Sequence, residues 1–264
     1  MRSKINIGLL VCVFFAIGGV ASAQKIWEKP YEKWDRADAL TVVSSSPWAV
    51  TYQSRESVAA SSVRQTSIDQ RDSANSGGNG QLAGSQTRVA SRPPIVARLH
   101  SGLPIRQAIT RGRQIAAGYD KMDETKKKEF DESSKGFLQC AICQNYYVVS
   151  LTTVPDAMSQ SIEEAIFLGL TLSDLKGNVS LVNDKGEERE LVQLTPPKRP
   201  TDSAYLFFAR KDDKGALLVT PDTKSFKLVF KNGFFTSSNR YASMVPRSFE
   251  FNASKMMIGN ELTF

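Results

Sequence analysis

Two cysteines three positions apart, Cys140 and Cys143 in "FLQCAICQNYYVVSL", are the residues of this chain best placed to do chemistry. A C-x-x-C pair can be a redox centre, half of a metal site or a local disulfide. A redox-active pair needs its attacking thiol at a helix N-terminus, where the positive dipole end favours the thiolate. Here the acidic-then-basic pattern of "DETKKKEFDESSKG" predicts a helix running into the motif, closing near Lys135 and Gly136. Cys140 then lies past a helix C-terminus, where the field favours the neutral thiol. No preceding strand and βαβ pattern supports a thioredoxin-like setting.

The other chemistries fare no better. His100 is the single histidine, so a zinc site would need a carboxylate to complete its ligands, and no metal is assigned. Gln144 stands where haem attachment requires a histidine. Any Ser–His–Asp or Cys–His triad must pass through His100, yet no G-x-S-x-G elbow is present. The carboxylate pairs Glu163-Glu164, Glu187-Glu188 and Asp212-Asp213 are adjacent residues that face apart in regular structure; a glycosidase-like pair assembled across loops stays open. The reading is a disulfide, Cys140–Cys143, with no catalytic residue and no cofactor; a thiol–disulfide oxidoreductase using the same pair is the alternative.

The elements that position the pair follow from the rest of the chain. Residues 1–23 have a positive start, Arg2 and Lys4, an apolar run Ile5 to Val20, and small residues Ala21-Ser22-Ala23. That is a secretory signal pattern, and a lipoprotein reading through Cys12 fits less well because bulky Val11 precedes it. Cleavage near Ala23 lowers the formal charge from +7 to +5 by removing Arg2 and Lys4. The expected location is periplasmic or extracellular, where a disulfide persists, with no transmembrane segment in the mature chain.

Residues 24–52 carry Trp27, Trp34 and Trp48 and read as a docking helix, with Pro30 at its first turn and Tyr31, Trp34 and Leu40 near one face. Residues 53–92 hold 20 Ser, Gly, Asn or Gln in 40 positions and no aromatic, a flexible-linker composition. Residues 93–264 read as one α+β domain, helical over 101–138 and mainly β over 145–264. "RPPIVARLH" alternates as a strand. In the next helix Ser101 could cap, Pro104 fits the first turn, Gly118 ends it, and Ile105, Ala108, Ile109, Gly112, Ile115 and Ala116 share a face. Ser161 with Glu164 forms a capping box for a further helix. Turns are predicted at Asp184-Lys185-Gly186, Asp213-Lys214-Gly215 and Asn232-Gly233, giving an antiparallel, sandwich-like β-rich half.

Between Arg55 and Arg113 there are nine arginines, three acidic residues and no lysine. Without interleaved aromatics this is a poor nucleic-acid surface; the reading is a solvated linker and helix face, with an acidic partner, an anionic glycan or outer-membrane phosphate as the alternative. The expected function is therefore a secreted or periplasmic non-catalytic binding or structural protein. Its binding residues are Trp34, Trp48, Arg106 and Arg113, and its partner is a protein or another envelope component.

Three phrases, "YEKWDRADALTVVSSSPWA", "ARLHSGLPIRQAI" and "CAICQNYYVVSL", resemble exported proteins of acidobacterial type, some of which carry a GWxTD motif domain. No G-W-x-T-D string occurs here. The resemblance implies export and a shared domain plan. Those proteins have no assigned activity, so it implies no catalytic residue.

Overall fold

Period-two alternation brings the apolar residues of successive strands into one register, and the sheet follows from that. The computed structural model describes residues 25–53, 94–153, 167–199, 202–236, 242–259 and 261–264. The expected signal segment, most of the expected linker and the Ser161 capping box lie outside these residues. The strands are β1 (Ala49–Tyr52), β2 (Ile95–Leu99), β3 (Tyr146–Thr153), β4 (Val179–Asn183), β5 (Glu188–Thr195), β6 (Ala204–Ala209), β7 (Phe226–Phe230) and β8 (Ser248–Phe251). They pair antiparallel in the order β1-β2-β3-β6-β5-β4-β7-β8. Leu99 faces Val149, Val149 faces Leu206, Leu181 faces Leu228, and Leu228 faces Phe249. All of these side chains are buried in one core.

The class is α+β. The strands do not separate into two stacked layers: they run on as one curled sheet whose ends approach, with the Tyr52 ring edge-on to Phe249 at 6.5 Å. A register irregularity between Leu191 and Gln193 of β5 supplies local bending, as bulges do. The result is a nearly closed barrel. A short hairpin of β9 (Met257–Ile258) and β10 (Glu261–Leu262) follows.

Among the described residues five α-helices accompany the sheet: α1 (Arg36–Ser44), α2 (Leu103–Ala117), α3 (Glu124–Gln139), α4 (Leu172–Leu175) and α5 (Asn232–Thr236). The first begins later than Pro30 suggests, because Asp35 caps it by accepting from the Asp38 amide at 2.8 Å. Trp34 thus precedes the helix and is buried, whereas Leu40 is 56% exposed, so the two do not share a face. Gly102, not Ser101, is the N-cap of α2; the Ser101 hydroxyl instead accepts from the Val148 amide at 3.3 Å. A Cβ on Gly102 would sit 2.6 Å from Trp48 Cδ1, so this junction tolerates only glycine. Gly118 ends α2 in the left-handed region (φ 71°).

Three turns test the hairpin reading. Asp184-Lys185-Gly186 does join β4 to β5, with Asn183 Oδ1 accepting from the Lys185 and Glu187 amides. The turn at Asp213-Lys214-Gly215 forms, but its returning arm makes only one bridge, Lys211 to Leu217. Leu218 and Val219 leave the sheet to enter the core, and Val219 donates its amide to the Tyr147 hydroxyl at 3.0 Å. Asn232-Gly233 opens α5 rather than a hairpin, and Phe234 from that helix is buried against Phe230, ring centroids 4.9 Å apart.

The tryptophan segment is not an appendage. Its β1 pairs with β2, and Trp48 donates Nε1–H to the Thr263 carbonyl at 2.6 Å. Deleting residues 25–52 strips an edge strand and two fully buried indoles, so the shortened chain should lose its cooperative urea transition. Trp48→Ala in the full chain should cost about 3–5 kcal/mol. A deletion variant unfolding cooperatively within about 1 kcal/mol of the full chain would contradict this placement.

Candidate functional site

Alternation along β2 and β3 places Arg98, His100 and Val148 on the face opposite the barrel core, and the Cys140–Cys143 region closes over that face. Helix α3 runs past Gly136 to Gln139, because Phe137 and Leu138 find tertiary partners. Phe137 lies edge-on to His100 at 5.3 Å and beneath the Arg113 guanidinium at 4.8 Å. Cys140 caps α3 in the left-handed region (φ 45°), the one non-glycine residue among those described with positive φ. A turn over Ala141–Gln144 then feeds β3. The Cys140–Cys143 disulfide spans it, and Cys143 packs with Val148 and Phe207 in a small cluster that also touches Cys140, Tyr146 and Tyr205.

Arg106 from α2 reaches into this cluster. Its Nε donates to the Leu138 carbonyl at 3.0 Å, and Nη1 donates to the carbonyls of His100 and Ser101. The same Nη1 lies 3.6 Å from Cys143 Sγ. No carboxylate pairs with Arg106 among the described residues. Burial lowers its pKa to about 10, still leaving it charged at neutral pH. His100 stands between Phe137 and Tyr205, the latter ring edge-on at 5.0 Å, and its Nδ1 has no hydrogen-bond partner among the described residues. Burial, then the charges of Arg106, Arg113 and Arg98, lowers its pKa to about 4. The imidazole is therefore neutral at ordinary pH, in a locally positive field.

The structure brings together Cys140, Cys143, Arg106 and Arg113, and keeps Trp34 and Trp48 apart from them. Both tryptophans are core side chains, 1% and 0% exposed, and neither offers a face to a partner. Arg106 is likewise withdrawn from the surface; of the four expected binding residues only Arg113 is exposed. The arginine surplus is largely internal where it is described. Arg98 donates to the Val43 carbonyl and the Thr152 hydroxyl, and Arg111 donates to the Trp34 carbonyl at 2.8 Å while forking onto Asp120. Guanidinium groups suit such multiple carbonyl contacts because their donors are fixed in a plane. The acidic pairs also have structural uses: Glu188 meets Lys231, and Asp212 holds its own turn and lies 3.6 Å from Arg189. Glu163-Glu164 lies outside the described residues.

One surface feature had only a faint sequence signal. Helices α1 and α2 leave a groove of about 320 Å³ between them, lined by Ala39, Leu40, Val43, Ala108, Ile109 and Ile115, with Gly112 and Ala116 at the open side. Arg36 is the single charged lining residue. The shared apolar face of α2 is legible in the sequence, but whether α1 fills it depends on side-chain size.

Compared with family models, with curated proteins and with solved structures, the chain matches none.

Two expected outcomes follow from this cluster. The short disulfide loop should contribute about 2 kcal/mol in the chain-entropy model, so a Cys140→Ser/Cys143→Ser variant should stay folded with a correspondingly lower urea midpoint. His100 is held at about 4, below the roughly 6.5 of an unfolded imidazole, so its contribution is intact above pH 6.5 and is lost as pH falls toward 4. The loss is on the order of 3 kcal/mol. His100→Phe should flatten that part of the stability–pH curve, and an unchanged slope would show that His100 titrates normally.

Proposed function

We propose that this protein is an exported binding module that receives an amphipathic, acidic helix of a partner protein in the groove between α1 and α2. The carrying observation is the groove itself: an apolar, concave surface at the lower end of the size range of ligand pockets, with Leu40 56% exposed beside it. Helix-in-groove recognition uses apolar anchors at helical spacing laid into such a trough. Charge argues for an acidic partner. Arg36 lines the groove without an ion pair among the described residues, and the chain stays formally positive, +5, once Arg2 and Lys4 are removed with the signal segment. Export rests on the secretory pattern of residues 1–23, on a disulfide of the kind that persists in oxidising compartments, and on the resemblance to exported proteins of acidobacterial type. No helix among the described residues is long and apolar enough to cross a membrane.

Gly112→Leu provides a clean test. A Cβ at 112 would meet nothing within 4 Å, so a leucine there can extend into the groove without a backbone clash. Replacing a mid-helix glycine should also raise stability, by about 0.5–1 kcal/mol. The probe is a fluorescent peptide with leucines at helical i, i+4, i+7 spacing and flanking glutamates. The wild-type chain should bind it with a Kd in the micromolar range, about tenfold or more tighter than Gly112→Leu, and tighter than a lysine-flanked version of the peptide. Equal binding to both chains, or to both peptides, would refute the assignment.

A further inference from the structure

We propose that Cys140–Cys143 is a thiol-exchange site, at which an incoming dithiol attacks the half-buried Cys140 sulfur and Cys143 departs as a thiolate held by Arg106. The site is independent of the groove and does not rest on the binding reading.

The geometry makes the two sulfurs unequal. Cys140 caps α3, at the carbonyl end of a 16-residue helix, where a thiolate is disfavoured. It is half-buried, whereas Cys143 is 5% exposed. Cys143 Sγ lies 3.6 Å from a guanidinium that no carboxylate neutralises among the described residues. An adjacent arginine stabilises a thiolate, and in disulfide exchange the sulfur with the lower thiol pKa leaves faster. Attack on the accessible sulfur therefore expels the stabilised one. The helix-end argument against redox chemistry holds for Cys140, but it does not reach Cys143, which sits past the turn and under Arg106. Burial is the larger cause of the depressed His100 pKa, and the charges of Arg106, Arg113 and Arg98 add to it in the same direction. A field that disfavours imidazolium favours a thiolate.

The exchange balances as follows. A thiolate of the donor dithiol bonds to Cys140 Sγ; the Cys140–Cys143 bond breaks and its electron pair leaves on Cys143 Sγ. The donor's second thiolate attacks its own sulfur in the mixed disulfide, releasing Cys140, which takes a proton from water. Two electrons pass from the dithiol to the protein, and the donor becomes a disulfide. The donor class is a protein or small-molecule dithiol; the reverse sequence oxidises such a dithiol.

The test uses the full chain, reduced with dithiothreitol, and follows thiolate absorbance near 240 nm against pH. With Cys12→Ser in both variants, the remaining Cys143 of Cys140→Ser should titrate at least about 1 unit below the free-thiol value of roughly 8.5, whereas Cys140 in Cys143→Ser should titrate at or above it. Arg106→Lys should keep the Cys143 value low, and Arg106→Gln should return it toward 8.5. The native disulfide of Arg106→Gln should also be reduced by dithiothreitol about fivefold more slowly than wild type. If Arg106→Gln does not fold, the wild-type chain decides. Reduction without loss of circular dichroism, with a low Cys143 titration, supports the proposal. A Cys143 thiol at or above about 8.5, or a disulfide reduced only in denaturant, overturns it.

Discussion

A buried positive charge that no carboxylate pairs among the described residues is the constraint around which this region is arranged. Taking a guanidinium out of water is costly unless its donors are satisfied. Arg106 meets that requirement with the carbonyls at the end of β2, the Leu138 carbonyl near the end of α3, and the sulfur of Cys143. Those contacts fix where α3 stops, where the Ala141–Gln144 turn lies, and how β3 is entered. A lysine would carry the charge but not the planar fan of donors that reaches several carbonyls at once. The same charge adds to the burial that keeps His100 neutral, and it sets the electrical environment of the disulfide.

A second constraint joins the ends of the chain to its middle. Trp48 packs on Gly102 at the β2–α2 junction, receives the Trp27 ring edge-on at 5.4 Å, and donates to the Thr263 carbonyl. Burial of this indole makes β1 an integral edge of the sheet and draws α1 onto α2. Where α1 and α2 face each other across the groove, the lining is small and aliphatic apart from Arg36.

Much of the fold is legible in the sequence where local physics decides. The alternation of Phe226, Leu228 and Phe230, the Asn183–Gly186 turn and the left-handed Gly118 are all set by residues close in the chain. What is not legible depends on partners far away. Gly136 looks like a helix stop, yet Phe137 and Leu138 continue the helix because His100, Arg113 and Arg106 are there to meet them. Arg106 and Arg111 read as surface charge, since nothing local shows that their donors will meet carbonyls 32 and 77 residues away. The tryptophans read first as a docking helix packed on the main domain and second as a binding face, and nothing local shows that β1 closes the sheet toward β8 and buries them in its core. The C-x-x-C disulfide was visible; the cation beside it was not.

Central to the account is that Arg106 and the Cys143 sulfur form one electrostatic unit. A high-resolution crystal structure of the dithiothreitol-reduced chain tests this most directly. Cys143 Sγ should stay at or inside its present 3.6 Å from the Arg106 guanidinium while Cys140 moves free toward solvent. A reduced structure in which the Cys143 sulfur swings away from Arg106, with the guanidinium bound only to carbonyls, would contradict it.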